Sequence, residues 1–188
     1  ETLTGLNYNV VTFLMAGIAL MYSFRTGLKA TVITEIIKIV VVWTGVIVLV
    51  PWVIMNAGGW ETVTAGLSGM KDPTMWSIFL GFGAAAFLGH MGGPWGDNSF
   101  YQRAFAIKKE SIIKSFVIAS FIFIVIPISM GLLGFVGAGA GLEIANVGTT
   151  NAFVIAHYLP ASAGILFMFV VFSGLIAILD SQFASVAN

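Results

Sequence analysis

Glu35, Asp97 and Asp180 are carboxylates set within or at the edge of apolar runs. An ionisable group at membrane depth costs several kcal/mol, at least about 2.5 on insertion scales, and marks a functional site by default. Asp97 follows Gly92-Gly93-Pro94 in FLGHMGGPWGDNSFYQRAFAIKK, residues 87–109. Two glycines and a proline free backbone N–H and C=O groups in mid-span. Unwound backbone survives there only where protein or a water-filled cavity satisfies it. Half-helix ends then aim partial charges at a bound solute or ion. The same residues also fit a proline kink with Asp97 at a helix end beside Arg103. Glu35 lies one turn from Lys38, as a functional carboxylate or as half of a helix-end ion pair. Asp180, Ser181 and Gln182 form a polar triplet late in an apolar run, where the helix either holds a buried site or runs out into water. His90, beside the glycines, is either a polar packing residue or a solute contact. His157, next to Tyr158, reads as an interfacial residue. No metal cluster, nucleotide-binding loop or nucleophile triad is visible, so the residues do not read as an enzyme.

The elements that carry these residues follow from composition. Of 188 residues, 59% are hydrophobic and only 9% are charged. Soluble domains carry roughly 25% charged residues, so the chain reads as an integral membrane protein in contact with the lipid bilayer. Net charge is zero, which argues against a nucleic-acid partner. There is no cysteine, so no disulfide framework and no thiolate chemistry. Both ends look cut, and the expectation is a single membrane domain, 1–188, that is a piece of a longer chain.

A spanning helix needs about 20 mostly apolar residues. Five stretches qualify, at about 8–24, 31–55, 75–106, 111–136 and 152–184. The third is expected to break at Gly92-Gly93-Pro94. None alternates as a barrel strand does. The fold class is therefore all-α transmembrane, with about five membrane-spanning helices. Residues 25–30 are expected to form a tight turn, and 56–73, 106–111 and 134–151 the other connections. Gly81, Ala85 and Gly89 recur at helical spacing and suggest close helix packing. Trp43, Trp52, Trp60 and Trp76 suggest interfacial anchors. Arg25, Lys29 and Lys38 gather at the first connection and Arg103, Lys108, Lys109 and Lys114 at the third, against Lys71 alone in the second. The positive-inside rule then puts 25–30, 106–111 and the end at Asn188 in the cytoplasm, with 56–73 and 134–151 outside.

Three patches resemble the sodium:solute symporter family, a branch of the leucine-transporter fold. GIALMYSFRTGLKATVITEIIKIV is similar to the family's Y-t-x-x-G-G-l-x-A-v-x-w-T-D-x-x-Q turn and helix. GDNSFYQRAFAIKKESIIKSF is similar to its D/N-Q-x-x-x-Q-R-x-x-A-x-k-s segment, and SGLIAILDSQFASVAN to its A-x-x-S-T-x-D-S-Q-L-x-x-x-S helix. They stand in the family's order over nearly the whole chain. The resemblance implies two inverted five-helix repeats, of which this piece holds core helices four to eight. The remaining helices would lie elsewhere in the same longer chain.

On that resemblance, Gly92 and Gly93 would lie in the unwound middle of core helix six. Asp97 and Asn98 would bind a small polar solute, with Trp95 and His90 near it. Gln102 and Arg103 would hold the cytoplasmic end. The family's principal sodium site takes two adjacent hydroxyl residues from core helix eight. Those positions are Ala177 and Ile178 here, with Gly174 still offering a carbonyl, so sodium coupling through that site is in doubt. Glu35, Asp180 and Ser181 match a second cation site found in some members, and Lys38 stands where the motif has Gln. These groups form either a displaced cation site for Na+ or H+, or a Lys38–Asp180 or Lys38–Glu35 bridge that fills the site and leaves transport uncoupled. No other cofactor is implied. The function expected is secondary active transport in the plasma (inner) membrane by alternating access. The rivals are a sensory input module of the same fold and an uncoupled carrier.

Overall fold

The computed structural model describes residue 5 and residues 7–69 and 73–187; for residues 8, 22–31, 73–75 and 184–187 it describes the backbone alone. The described residues are helical, with no strand among them. Helix α1 is Tyr8–Asn56, α2 Trp60–Ser68, α3 Pro73–Ile78, α4 Ala85–Gly96, α5 Asn98–Ala106, α6 Ile112–Gly139, α7 Thr150–Tyr158 and α8 Ala161–Ala187. A π-helical segment, Phe79–Ala84, joins α3 to α4.

Three stretches are long and apolar enough to cross a membrane: Val32–Asn56, Lys109–Gly139 and Ala161–Phe183. They correspond to the second, fourth and fifth expected spans. Asn9–Met21 is apolar but shorter, and 75–106 does not meet the criterion as one helix. The tight turn expected at 25–30 is absent from the backbone, which stays helical from Tyr8 to Asn56. Gly27 is the one helix breaker within residues 25–30, and a single interior glycine costs only about 1 kcal/mol. The result is a helix of roughly 73 Å at 1.5 Å per residue, more than twice a hydrocarbon core of about 30 Å. Lys71 and Asn188 lie outside the described residues, as do the side chains of Arg25 and Lys29.

The third stretch breaks, but not where the glycines and proline suggested. Gly92, Gly93 and Pro94 lie inside α4, and the interruption falls at Asp97, with φ −96° and ψ 109°. Pro94 sits in the last turn of α4, where little helix remains to disrupt. Asp97 both ends α4 and caps α5, its carboxylate accepting from the Ser99 N–H at 2.8 Å. Aspartate is among the preferred residues for that role. The expected fifth span also divides. Leu159 is extended ahead of Pro160, as a residue before proline tends to be. The connection 56–73 contains α2, and 134–151 contains the end of α6.

The core lies at one end of the bundle. Val46, Leu49, Val50 and Val53 follow i, i+3, i+4, i+7 spacing on α1 and are buried against Val63, Leu133, Val136, Val154, Ile155 and Phe167. That spacing makes one helix face. Helices α2 and α6 meet through glycine. A Cβ on Gly66 would strike the Phe135 carbonyl, and one on Gly139 would strike the Thr62 carbonyl and lie 2.8 Å from Gly66 N. Gly81 and Gly89 behave differently from expectation, since a Cβ on either meets nothing within 4 Å. The small-residue stripe faces no described helix.

Candidate functional site

The longest helix contact is that of α1 with α8, and it positions the charged residues. On α1, Glu35, Lys38, Val42, Gly45 and Leu49 follow one another at steps of three and four. On α8, Phe167, Val170, Gly174, Ala177 and Ser181 do the same. Such steps keep side chains on one face. The apolar contact near the middle of the pair therefore continues, two to three turns along, into a polar one.

There Lys38 donates to the Asp180 carboxylate across the α1–α8 contact. The Asp180 side chain is 0% exposed and that of Lys38 13%. Beside them, Arg103 Nη2 of α5 donates to Glu35 Oε1 at 2.6 Å and to Ser181 Oγ at 2.7 Å. Arg103 Nη1 reaches the Ser99 carbonyl at 3.4 Å. The Ser181 hydroxyl lies 3.2 Å from Glu35 Oε1 and 2.9 Å from the Ala177 carbonyl, and its one proton serves either acceptor. Two carboxylates, two basic groups and a hydroxyl thus join three helices. Charges at this depth persist only when paired and hydrogen-bonded.

Glu35, Asp180 and Ser181 come together as the sequence suggested. Gly174 does not join them; it stands higher on α8, and a Cβ there would meet nothing within 4 Å. The residues expected to bind solute are more scattered. His90, Gly93 and Asp97 line an open groove of about 520 Å³ along α4 and the start of α5. The His90 ring nitrogen is bonded to its own helix at the Ala86 carbonyl, 2.7 Å away. Trp95 is 82% exposed, and Gly92 and Asn98 are also exposed. Asp97 is half-buried, held by Ser99 and within reach of the Gln182 amide of α8. It therefore borders both the groove and the charged cluster.

These helices carry their motifs in a fixed order, and the sequence matches the sodium:solute symporter family over residues 1–188. The chain belongs to the sodium:solute symporter family. Comparison with curated proteins and with solved structures finds no match. Membership makes this symporter-family chain a solute-transporter chain rather than an enzyme, embedded in a membrane, from a family that typically couples transport to sodium.

Arg103 is the member of the cluster whose place the sequence did not suggest. It reads as a residue holding the cytoplasmic end of its helix, yet it bonds to α1 and α8 at once. The available signal was its position on α5, whose apolar and polar residues alternate in helical register, with Arg103 one turn from buried Ser99. A guanidinium on the inner side of a packed helix requires acceptors, and its five donors suit several at once.

Proposed function

We propose that this chain serves in a secondary active transporter that moves a small polar solute across the plasma (inner) membrane by alternating access. Solute binds along the groove at Asp97, with His90, Gly92, Gly93, Trp95 and Asn98 around it. The coupling cation, Na+ or H+, acts through Glu35, Asp180 and Ser181. One observation carries this reading: α5 bears Asp97 at its N-terminus and Arg103 in its last turn. A single nine-residue helix thus connects the interruption beside the groove to the carboxylates of α1 and α8. An ionised Asp97 only accepts hydrogen bonds, which favours solutes bearing N–H, O–H or positive charge. Basic residues 103, 108, 109 and 114 support a cytoplasmic 106–111 connection.

The test is uptake by the full-length protein in liposomes, after a thermal-shift screen of sugars, amino acids, monocarboxylates, urea-like solutes and vitamins. Accumulation above the outside concentration, driven by a sodium or proton gradient, is expected. Equilibration without accumulation would mean an uncoupled carrier. Solute binding with no uptake would mean a sensory module.

A further inference from the structure

We propose that the Lys38 ammonium takes the place of the sodium ion at Asp180, so that the chain's own side chain fills this cation position and no sodium binds there. The inference rests on the transporter reading for its meaning in coupling, where of Na+ and H+ it leaves only H+ to act through Asp180, but not for its geometry.

The donor set argues against a metal ion. Sodium is a hard cation and needs several oxygen ligands with free lone pairs. Asp180 is the fully buried carboxylate of the cluster, and its Oδ2 is bound by Lys38. Glu35 Oε1 is bound by Arg103 and lies near the Ser181 hydroxyl. Ser181 Oγ itself accepts from Arg103. The carbonyl of Ala177 accepts from Ser181. The Ala177 side chain offers only a methyl group, and Ile178 is 63% exposed, on the outside of the contact. Asp97, the third carboxylate nearby, is turned to the N–H of Ser99 and the amide of Gln182.

Charge balance leads to the same conclusion. Glu35 and Asp180 supply two negative charges, and Arg103 and Lys38 supply two positive ones. Each carboxylate of these two pairs is thus matched by a cation of the chain itself, with Asp97 at the edge beside Arg103. A sodium ion at Asp180 would sit beside the Lys38 ammonium, where the carboxylate is 0% exposed and like charges are screened least. Without Lys38 the count reverses. Asp180, 0% exposed, then loses the positive charge that Lys38 supplies, which a small cation can restore.

The test is the melting temperature of the purified full-length protein in sodium, potassium and choline chloride at equal ionic strength. The unaltered protein is expected to melt at the same temperature in all three. Lys38→Gln is expected to melt lower in choline and to gain a saturable, sodium-specific rise of about 5 °C at a hundred-fold excess over its Kd. Lys38→Gln combined with Asp180→Asn should lose that rise. A saturable sodium-specific rise in the unaltered protein that Asp180→Asn removes would overturn the proposal. So would a folded Lys38→Gln protein indifferent to sodium. If Lys38→Gln does not fold, Lys38→Arg decides the matter: it keeps the charge and should remain sodium-insensitive, and a sodium-specific rise there refutes the assignment. Uptake is scored separately. No uptake of any solute, with melting that ignores sodium, would defeat the transporter reading and leave the lysine assignment standing.

Discussion

Removing Lys38 should cost more stability than any other single change in the charged cluster. Lys38→Met, measured in choline chloride so that no small cation can substitute, leaves Asp180 charged and 0% exposed. Breaking a buried pair from one side costs about 3–5 kcal/mol. For a chain of this size each kcal/mol moves the melting temperature by about 2–4 °C, so a fall of about 10 °C is expected. Asp180→Leu should cost less. The Lys38 side chain is 13% exposed, and its long stem lets the ammonium move towards water. Replacing both, as Lys38→Met with Asp180→Leu, removes two desolvated charges together and should recover most of the loss. The double-mutant cycle then gives a coupling energy of at least about 2 kcal/mol. The Arg103–Glu35 pair is the internal contrast. Its side chains are 32% and 28% exposed, so Glu35→Gln should cost no more than about 1 kcal/mol. Single changes at 38 and 180 that add to within about 0.5 kcal/mol would refute the reasoning, because independent sites add in that way.

Other perturbations probe other parts of the structure. Gly66→Ala and Gly139→Ala each force a Cβ onto backbone of the facing helix and should destabilise by about 1–3 kcal/mol, whereas Gly131→Ala, with nothing within 4 Å, should be neutral or slightly stabilising; thermal melting of the three separates them. Asp97→Ser keeps a capping oxygen for Ser99 N–H and should hold the melting temperature while raising the KM for solute. Asp97→Ala should lose both, with a stability cost of about 1 kcal/mol; equal KM values for the unaltered protein and the Ser variant would remove Asp97 from the solute site. Because the chain contains no cysteine, single cysteines at Glu61 and Glu143 should react with an impermeant maleimide from outside, and one at Lys109 only from the cytoplasm. Labelling of all three from one side would refute the proposed sidedness.

What the sequence reveals is mostly what depends on composition. The apolar stretches that became Val32–Asn56, α6 and α8 are readable because membrane helices need uniform hydrophobicity over about 20 residues. The same uniformity hides boundaries. Arg25 to Ala30 looks like a turn by polarity, yet its residues also fit a helix, and nothing but a competing cap would stop one. Gly92-Gly93-Pro94 looks like the break by residue type, but where the helix ends depends on which residue offers a better alternative to the next helical bond. Asp97 offers it through its own carboxylate. Glu35, Asp180 and Ser181 could be brought together only through the family resemblance, which implies one cation site at those positions. The choice of partner could not. Lys38 stands one turn from Glu35, yet pairs with Asp180, 142 residues away. Glu35 takes Arg103 instead. That exchange follows from how α1, α5 and α8 sit against one another, which no local spacing records.

The two ion pairs differ in strength in a way that assigns motion. Lys38–Asp180 lies on the longest helix contact, whose apolar packing makes α1 and α8 resist separation. Arg103 is about one-third exposed, and it ties a short helix to that pair through bonds that water can replace at small cost. If the cluster takes part in alternating access, α5 should move while α1 and α8 stay together. A covalent staple checks this directly. A Cβ on Gly45 would lie 3.5 Å from Val170 Cβ, at the short end of the Cβ–Cβ range of a disulfide, about 3.5–4.5 Å. Gly45→Cys with Val170→Cys should therefore crosslink α1 to α8 under mild oxidation. Uptake by the oxidised protein should match that of the reduced protein to within about twofold. Loss of uptake on oxidation, restored by a reductant, would show that α1 and α8 must part during the cycle. It would also make the Lys38–Asp180 pair something that opens on every turnover.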